Sequence, residues 1–253
     1  MMPADDIPLD IRRRLGWLPH LPYHTALGRR GLAAITLIGS FFQFKGNARV
    51  KAWWVHHGNK GCKVYQPVDK RTDAIMLWIH GGGYIGLAAS LDDQFCRRVV
   101  EELGITVVSA EYRLAPKHQF PAGLDDCHAS WQWMLDHAAE LGCDASRSIV
   151  AGESAGGGLA AALAQRLHDE GGTQPLAQIL VAPMLDDRTA LREDLTREHH
   201  YIWNNQNNYG GWTCYLGQEP GQAEVPRYSV PARRFLLANL PPAWIGIGTA
   251  DLF

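Results

Sequence analysis

Gly152-Glu153-Ser154-Ala155-Gly156 has the residue types and spacing of a nucleophile turn, G-x-S-x-G. It lies between an apolar run at 148–151 and an alanine-rich, strongly helical segment at 154–168. A serine on a sharp strand-to-helix turn exposes its hydroxyl for attack on a carbonyl. Side chains at 152 and 156 would collide with the neighbouring strand and helix, which explains the glycines. The helix also points its amide end at any negative charge that develops there. A second stretch, His80-Gly81-Gly82-Gly83-Tyr84, follows an apolar run at 74–79. Consecutive glycines let backbone amides close on an oxyanion. Acyl transfer needs a nucleophile and such a hole together, so the two motifs support each other. The expected donors are the amides of Gly82, Gly83 and Ala155, with His80 holding the loop rather than acting as a base. A phosphate cradle is excluded, because neither G-K-[ST] nor G-x-G-x-x-G spacing is present.

The elements that must hold these motifs follow from periodicity. Strands are expected at 50–55 and 62–66, joined by the turn residues 56–59. Further continuous apolar runs lie at 74–79, 105–108, 148–151, 178–182 and 243–248. A helix start is expected at 90–93, with Phe95, Val99 and Leu103 at helical spacing, and helices at 124–141 and 154–168. Apolar runs without polar alternation are buried on both faces, and strands alternating with helices imply parallel pairing. The expected fold class is therefore α/β, a mostly parallel central sheet with helices on both faces. The pattern breaks between Pro183 and Pro242, a stretch rich in Trp, Tyr and Asn. An insertion of that size between sheet strands usually forms a lid or cap.

Composition narrows the function classes. The chain has 253 residues and a net charge of −2, without a basic stripe or acidic tail. Nucleic acid is not an expected partner. Cys62, Cys96, Cys127, Cys143 and Cys214 are odd in number, widely spaced and free of any C-x-x-C pair. That argues against a disulfide framework and a zinc site, and for reduced thiols in the cytoplasm. No metal and no cofactor is expected. The apolar segment 31–42 is a dozen residues long, short of the roughly 20 a spanning helix needs. A helix docked on the protein is expected there, with no stable membrane insertion. Nine Trp are many for this length, so some are expected to line a pocket.

HGGGY (80–84), EYRLAP (111–116) with FPAGLDD (120–126), and GESAGG (152–157) together resemble the hormone-sensitive-lipase-like branch of the α/β-hydrolases. These are bacterial carboxylesterases with an HGGG oxyanion loop. The resemblance covers residues from about 50 onward and implies an α/β-hydrolase core at 50–185 and 231–253, an N-terminal cap segment at 1–49 and a lid at 186–230. It implies a serine acyl-enzyme acting on small to medium acyl or aryl esters, with Ser154 as nucleophile and Asp251 as the triad acid. In the family the residue before the serine, here Glu153, points away from the chemistry.

The triad histidine of that family lies a few tens of residues beyond the acid. All 11 histidines of this chain precede Asp251, and His199 and His200 fall in the presumed lid. The expectation is that the triad histidine is missing and that these 253 residues are close to inactive. The last strand and helix are likewise expected to be absent, leaving the apolar run at 243–247 as an open sheet edge. Homodimers are common in the family, so self-association is a further expectation. A non-catalytic small-molecule binding protein on the same fold is the alternative, as the plant gibberellin receptor resembles this family without its histidine. Amidase or peptidase activity by the same triad is left open.

Overall fold

The computed structural model describes residues 22–193, 203–248 and 251–253. Its first helix is α1, Ala26–Ser40, N-capped by Thr25, whose hydroxyl accepts the Gly28 amide. Seven strands follow: β1 Val50–Val55, β2 Cys62–Pro67, β3 Ile75–Ile79, β4 Thr106–Ala110, β5 Ser148–Glu153, β6 Gln178–Val181 and β7 Ala243–Gly246. They form one sheet in the order β1-β2-β4-β3-β5-β6-β7. β1 and β2 form an antiparallel hairpin, and β2 joins β4 antiparallel. The remaining pairs are parallel. Every residue of β3 and β4 is buried, as an apolar run in a sheet covered on both faces must be.

The covering helices are α2 Asp93–Leu103, α3 Ala122–Asp136 and α4 Ala155–Glu170. Alternate residues along β3 divide between them. Leu77 and Ile79 pack into one core with Leu124, Trp131 and Met134 of α3 and Leu159 and Leu163 of α4. Met76 and Trp78 pack into the other with Cys96 and Val100 of α2. Small side chains along α4 let it lie close to the sheet, with twelve of its residues buried. A further helix, α5 Asn205–Leu216, belongs to the stretch between β6 and β7.

The helix expected from 90–93 forms as α2, and α3 is shorter than expected. α2 turns Asp93, Cys96 and Val100 inward, leaving Phe95 and Leu103 exposed at 42% and 58%. The cause is polar. The Asp93 carboxylate accepts from Lys63 Nζ at 2.7 and 2.9 Å, from the Tyr65 hydroxyl and from the Phe44 amide. Anchoring that side chain in the interior fixes the rotation of the helix. α3 ends at Asp136 rather than 141, where His137 leaves helical geometry. Ala138 and Leu141 still pack into the core beyond it.

Among the described residues β7 pairs only with β6, and Trp244, Ile245 and Ile247 are about half exposed. The apolar edge expected at 243–247 is therefore open.

Candidate active site

Parallel pairing of β3 with β5 places the two motifs side by side. Ile79 stands opposite Gly152, so His80–Gly83 and Glu153–Ser154 leave the sheet at the same level. This is the carboxyl end of the parallel strands, where open α/β sheets bind ligands. Ser154 sits between β5 and α4 with φ 55°, ψ −119°, a conformation a non-glycine residue rarely adopts. Such backbone costs on the order of 1–3 kcal/mol and persists only when its surroundings impose it. Here the Ser154 amide donates to the Val181 carbonyl at 2.9 Å. The Ser154 carbonyl accepts from the amides of Gly158 at 3.0 Å and Met184 at 2.9 Å.

Two glycines make the close approach possible. A methyl at Gly156 would stand nearer than 3.0 Å to the carbonyl oxygens of Ile79 and His80. Gly82 has φ +117°, and a methyl there would meet the Gly86 carbonyl. That carbonyl approaches because the chain turns back tightly, with the amides of Ile85 and Gly86 both donating to the Gly82 carbonyl at 3.1 Å. Among the described residues no acceptor takes the amides of Gly82 or Gly83. Ala155, the first residue of α4, has an amide without an intrahelical partner by position.

The motif residues converge on one cavity of about 230 Å³. Gly81, Gly82, Gly83, Glu153 and Ser154 line it together with Tyr23, Leu32, Leu87, Asp92 and Trp203. No described partner bonds the Ser154 hydroxyl. A wider hollow of about 590 Å³ beside α5 includes His24 and Cys214 in its lining and shares no lining residue with the Ser154 cavity.

His80 is buried, and its Nδ1 lies 2.8 Å from the Gly81 carbonyl. The His80 ring stacks on Tyr112 with centroids 4.2 Å apart. The Tyr112 hydroxyl donates to the carbonyls of His80 at 2.9 Å and Gly81 at 3.3 Å. With its carbonyls held, the loop is stiffened with Gly82 and Gly83 at the cavity wall.

Glu153 is among the residues that line the cavity beside Ser154. As the last residue of β5 it remains at the rim formed by the glycine loop. Desolvation, and after it the Asp92 carboxylate, push its carboxyl upward, although the residue as a whole stays exposed. Burial likewise raises Asp92, against the 2.6 Å hydrogen bond it accepts from Trp78 Nε1.

Asp251 follows β7. Its amide donates to the Gly248 carbonyl at 3.1 Å, and its Oδ1 accepts the Phe253 amide at 3.2 Å. It is not among the residues lining the Ser154 cavity, and no described histidine is either. His199 and His200 lie outside the described residues. No group of three or more His, Cys, Asp or Glu suited to a metal occurs among the described residues.

Tyr112, Asp92 and Trp203 are among the residues of the site that carried no assigned role in the sequence reading. Tyr112 lay within the EYRLAP stretch, Asp92 within a helix start, and Trp203 within the aromatic insertion. Only the insertion's Trp content hinted at a pocket.

The family described as the alpha/beta hydrolase fold matches residues 76–253. Esterase LipI of Mycobacterium tuberculosis (strain ATCC 25618 / H37Rv) is 31% identical over 245 residues, spanning 95% of this chain and 70% of that protein. Carboxylesterase NlhH of the same strain is 41% identical over 122 residues, 48% of this chain and 38% of that protein. Among solved structures, one titled bacterial heroin esterase superposes with a TM-score of 0.82 at 32% identity, covering 93% of this chain and 77% of that one.

Proposed function

The chain belongs to the alpha/beta hydrolase family, and from that premise we propose that it provides the nucleophile and oxyanion hole of a carboxylic ester hydrolase. The observation that carries this reading is the single cavity walled by both Ser154 and the glycines 81–83. The Ser154 hydroxyl oxygen attacks the ester carbonyl carbon and loses its proton to a base. The oxyanion of the tetrahedral intermediate is held by the amides of Gly82, Gly83 and Ala155. Collapse expels the alcohol and leaves the acyl group on Ser154, and water then releases the acid. Each oxyanion donor of this kind is worth about 2.7–4 kcal/mol in the transition state. The cavity volume of about 230 Å³ lies below the roughly 300–1,000 Å³ of drug-sized sites, which favours short acyl or small aryl esters.

No described histidine lines the cavity, whose only described carboxylic acids are Asp92 and Glu153. Asp251, which follows β7, is the carboxylate assigned in this reading to orient a triad histidine. We infer that these 253 residues by themselves turn esters over very slowly. Removing a triad histidine costs about 2 × 10⁶ in kcat in subtilisin. The same observation supports retained ligand binding without turnover as a second reading. In the proposed division, residues 1–49 and 186–230 cover the cavity and 50–185 with 231–253 form the hydrolase core. Tyr23, Leu32 and Trp203 are the described residues of those segments that line the cavity. Five unpaired cysteines, four of them buried, fit a reducing compartment such as the cytoplasm.

Chemical rescue tests the proposal. Imidazole added to the purified chain should restore hydrolysis of p-nitrophenyl butyrate above the free-imidazole rate, and Ser154→Ala should abolish that increment. An increment equal in wild type and Ser154→Ala would overturn the serine mechanism. Rapid Ser154-dependent turnover without imidazole would overturn the inferred inactivity.

A further inference from the structure

The apolar segment at 31–42 is docked less completely than its composition suggests. α1 buries only Gly28 and Leu32. Its other apolar side chains face solvent: Leu27 at 76% exposure, Ile35 at 43%, Leu37 at 61%, Ile38 at 60%, Phe41 at 77% and Phe42 at 83%. At 100° per residue these six fall within one side of the helix and its immediate continuation. A contiguous apolar surface of this kind marks an interaction site in a folded protein.

Charge identifies the partner. No Asp or Glu occurs between Asp10 and Asp69, while Arg29, Arg30, Lys45, Arg49 and Lys51 lie on or just beyond α1. Arg30 and Lys45 are exposed. Arg29 donates to the His24 carbonyl at 2.7 Å and so helps hold the start of the helix, while Arg30 stands in the N-terminal half, where the macrodipole does not favour a cation. An exposed apolar helix face with the exposed cations Arg30 and Lys45 on or just beyond it suits the interface of an anionic lipid layer. There the phenylalanines enter the acyl boundary and the cations meet headgroups. No described helix is long and apolar enough to cross a membrane.

We propose that α1 is an interfacial helix that seats this protein on an anionic lipid surface. The face turned outward by Phe41 and Phe42 enters the layer, and the opposite side rests on the hydrolase core. Leu32, on that opposite side, lines the Ser154 cavity. Adsorption would therefore bring the cavity within about one helix diameter, 10–12 Å, of the lipid. Surface binding itself does not depend on ester hydrolysis.

Co-sedimentation tests it without turnover, so its failure leaves the hydrolase reading untouched. The purified 253-residue chain is mixed with vesicles of phosphatidylglycerol and phosphatidylcholine in equal parts, with pure phosphatidylcholine, or with no vesicles. The expected result is vesicle-dependent sedimentation that is several-fold stronger with the anionic vesicles and weakens with salt. Phe41→Asp/Phe42→Asp should lower the partition by about ten-fold or more. Leu37→Gln/Ile38→Gln is an independent pair on the same face and should lower it too, and near-ultraviolet circular dichroism checks that both variants keep native packing. Arg30→Glu/Lys45→Glu should remove the preference for anionic vesicles. Absence of vesicle binding, or binding unchanged in natively packed variants of both apolar pairs, would overturn the proposal. So would a dimer in size-exclusion chromatography that the Phe41→Asp/Phe42→Asp variant converts to monomer, because the face would then be covered by a second copy.

Discussion

Adding one methyl group at Gly156 tests the packing that joins the fold to the site. A Cβ there would lie nearer than 3.0 Å to the carbonyl oxygens of both Ile79 and His80. Both obstacles are backbone, so no rotamer change relieves them. α4 must move away from β3, or the start of the glycine loop must be displaced. Overpacking of this sort costs about 1–3 kcal/mol and can cost more where backbone is the obstacle. For a chain of this size 1 kcal/mol corresponds to roughly 2–4 °C in Tm. Gly156→Ala should therefore lower the thermal midpoint by about 2–12 °C.

Two glycines at the far end of α4 serve as controls. Gly171 has φ +72° with nothing within 4 Å of a built Cβ. Gly171→Ala should cost only the left-handed penalty of about 1–2 kcal/mol. Gly172 also has open space and no positive φ. Gly172→Ala should be neutral or stabilise by about 0.4–1 kcal/mol through the unfolded chain. The assay is thermal and urea unfolding of the three variants followed by circular dichroism. The order expected is Gly156→Ala least stable, then Gly171→Ala, then Gly172→Ala. A Gly156→Ala midpoint within 1 °C of wild type would refute the close approach of α4 to β3.

The Lys63–Asp93 pair is nearly sealed from solvent, with side chains 1% and 7% exposed. Asp93→Ala should destabilise by about 3–5 kcal/mol, because it strands a buried ammonium, while the double change Lys63→Met/Asp93→Leu should recover most of that. Urea midpoints check both, and a cost below 1 kcal/mol for Asp93→Ala would contradict the burial. At the end of α4, Arg234 first, then Tyr228 and Arg227, hold the Asp169 carboxyl well below the usual carboxylate range. A carboxyl lowered on folding stabilises above its unfolded value of about 3.9, and that contribution is lost as pH falls through the lower folded value. Asp169→Asn should therefore cost on the order of 1 kcal/mol at pH 7, and the two proteins should converge as acid approaches pH 2. A gap independent of pH would show that the ion cluster is not the source.

Local sequence determined which elements form. Continuous apolar runs marked β3, β5 and β6 almost to the residue, because a strand buried on both faces needs no polar alternation. The G-x-S-x-G turn and the triple glycine were legible because steric demands at a tight turn act between neighbours in the chain. The outcome was decided by tertiary structure wherever a distant residue set the balance. Phe95, Val99 and Leu103 had helical spacing, but which face of α2 is buried was set by distant partners: Lys63 and Tyr65 hold Asp93 inward, and Phe95 lies against Trp78 while part exposed. α1 read as a docked apolar helix, and only the folded chain shows its apolar side left outward. Asp92, Tyr112 and Trp203 joined the site through pairings tens of residues apart, above all the register that sets Ile79 opposite Gly152. Short-range periodicity specifies the type of an element. Its neighbours and its rotation depend on summed long-range contacts and buried charge, and no local window of sequence contains those.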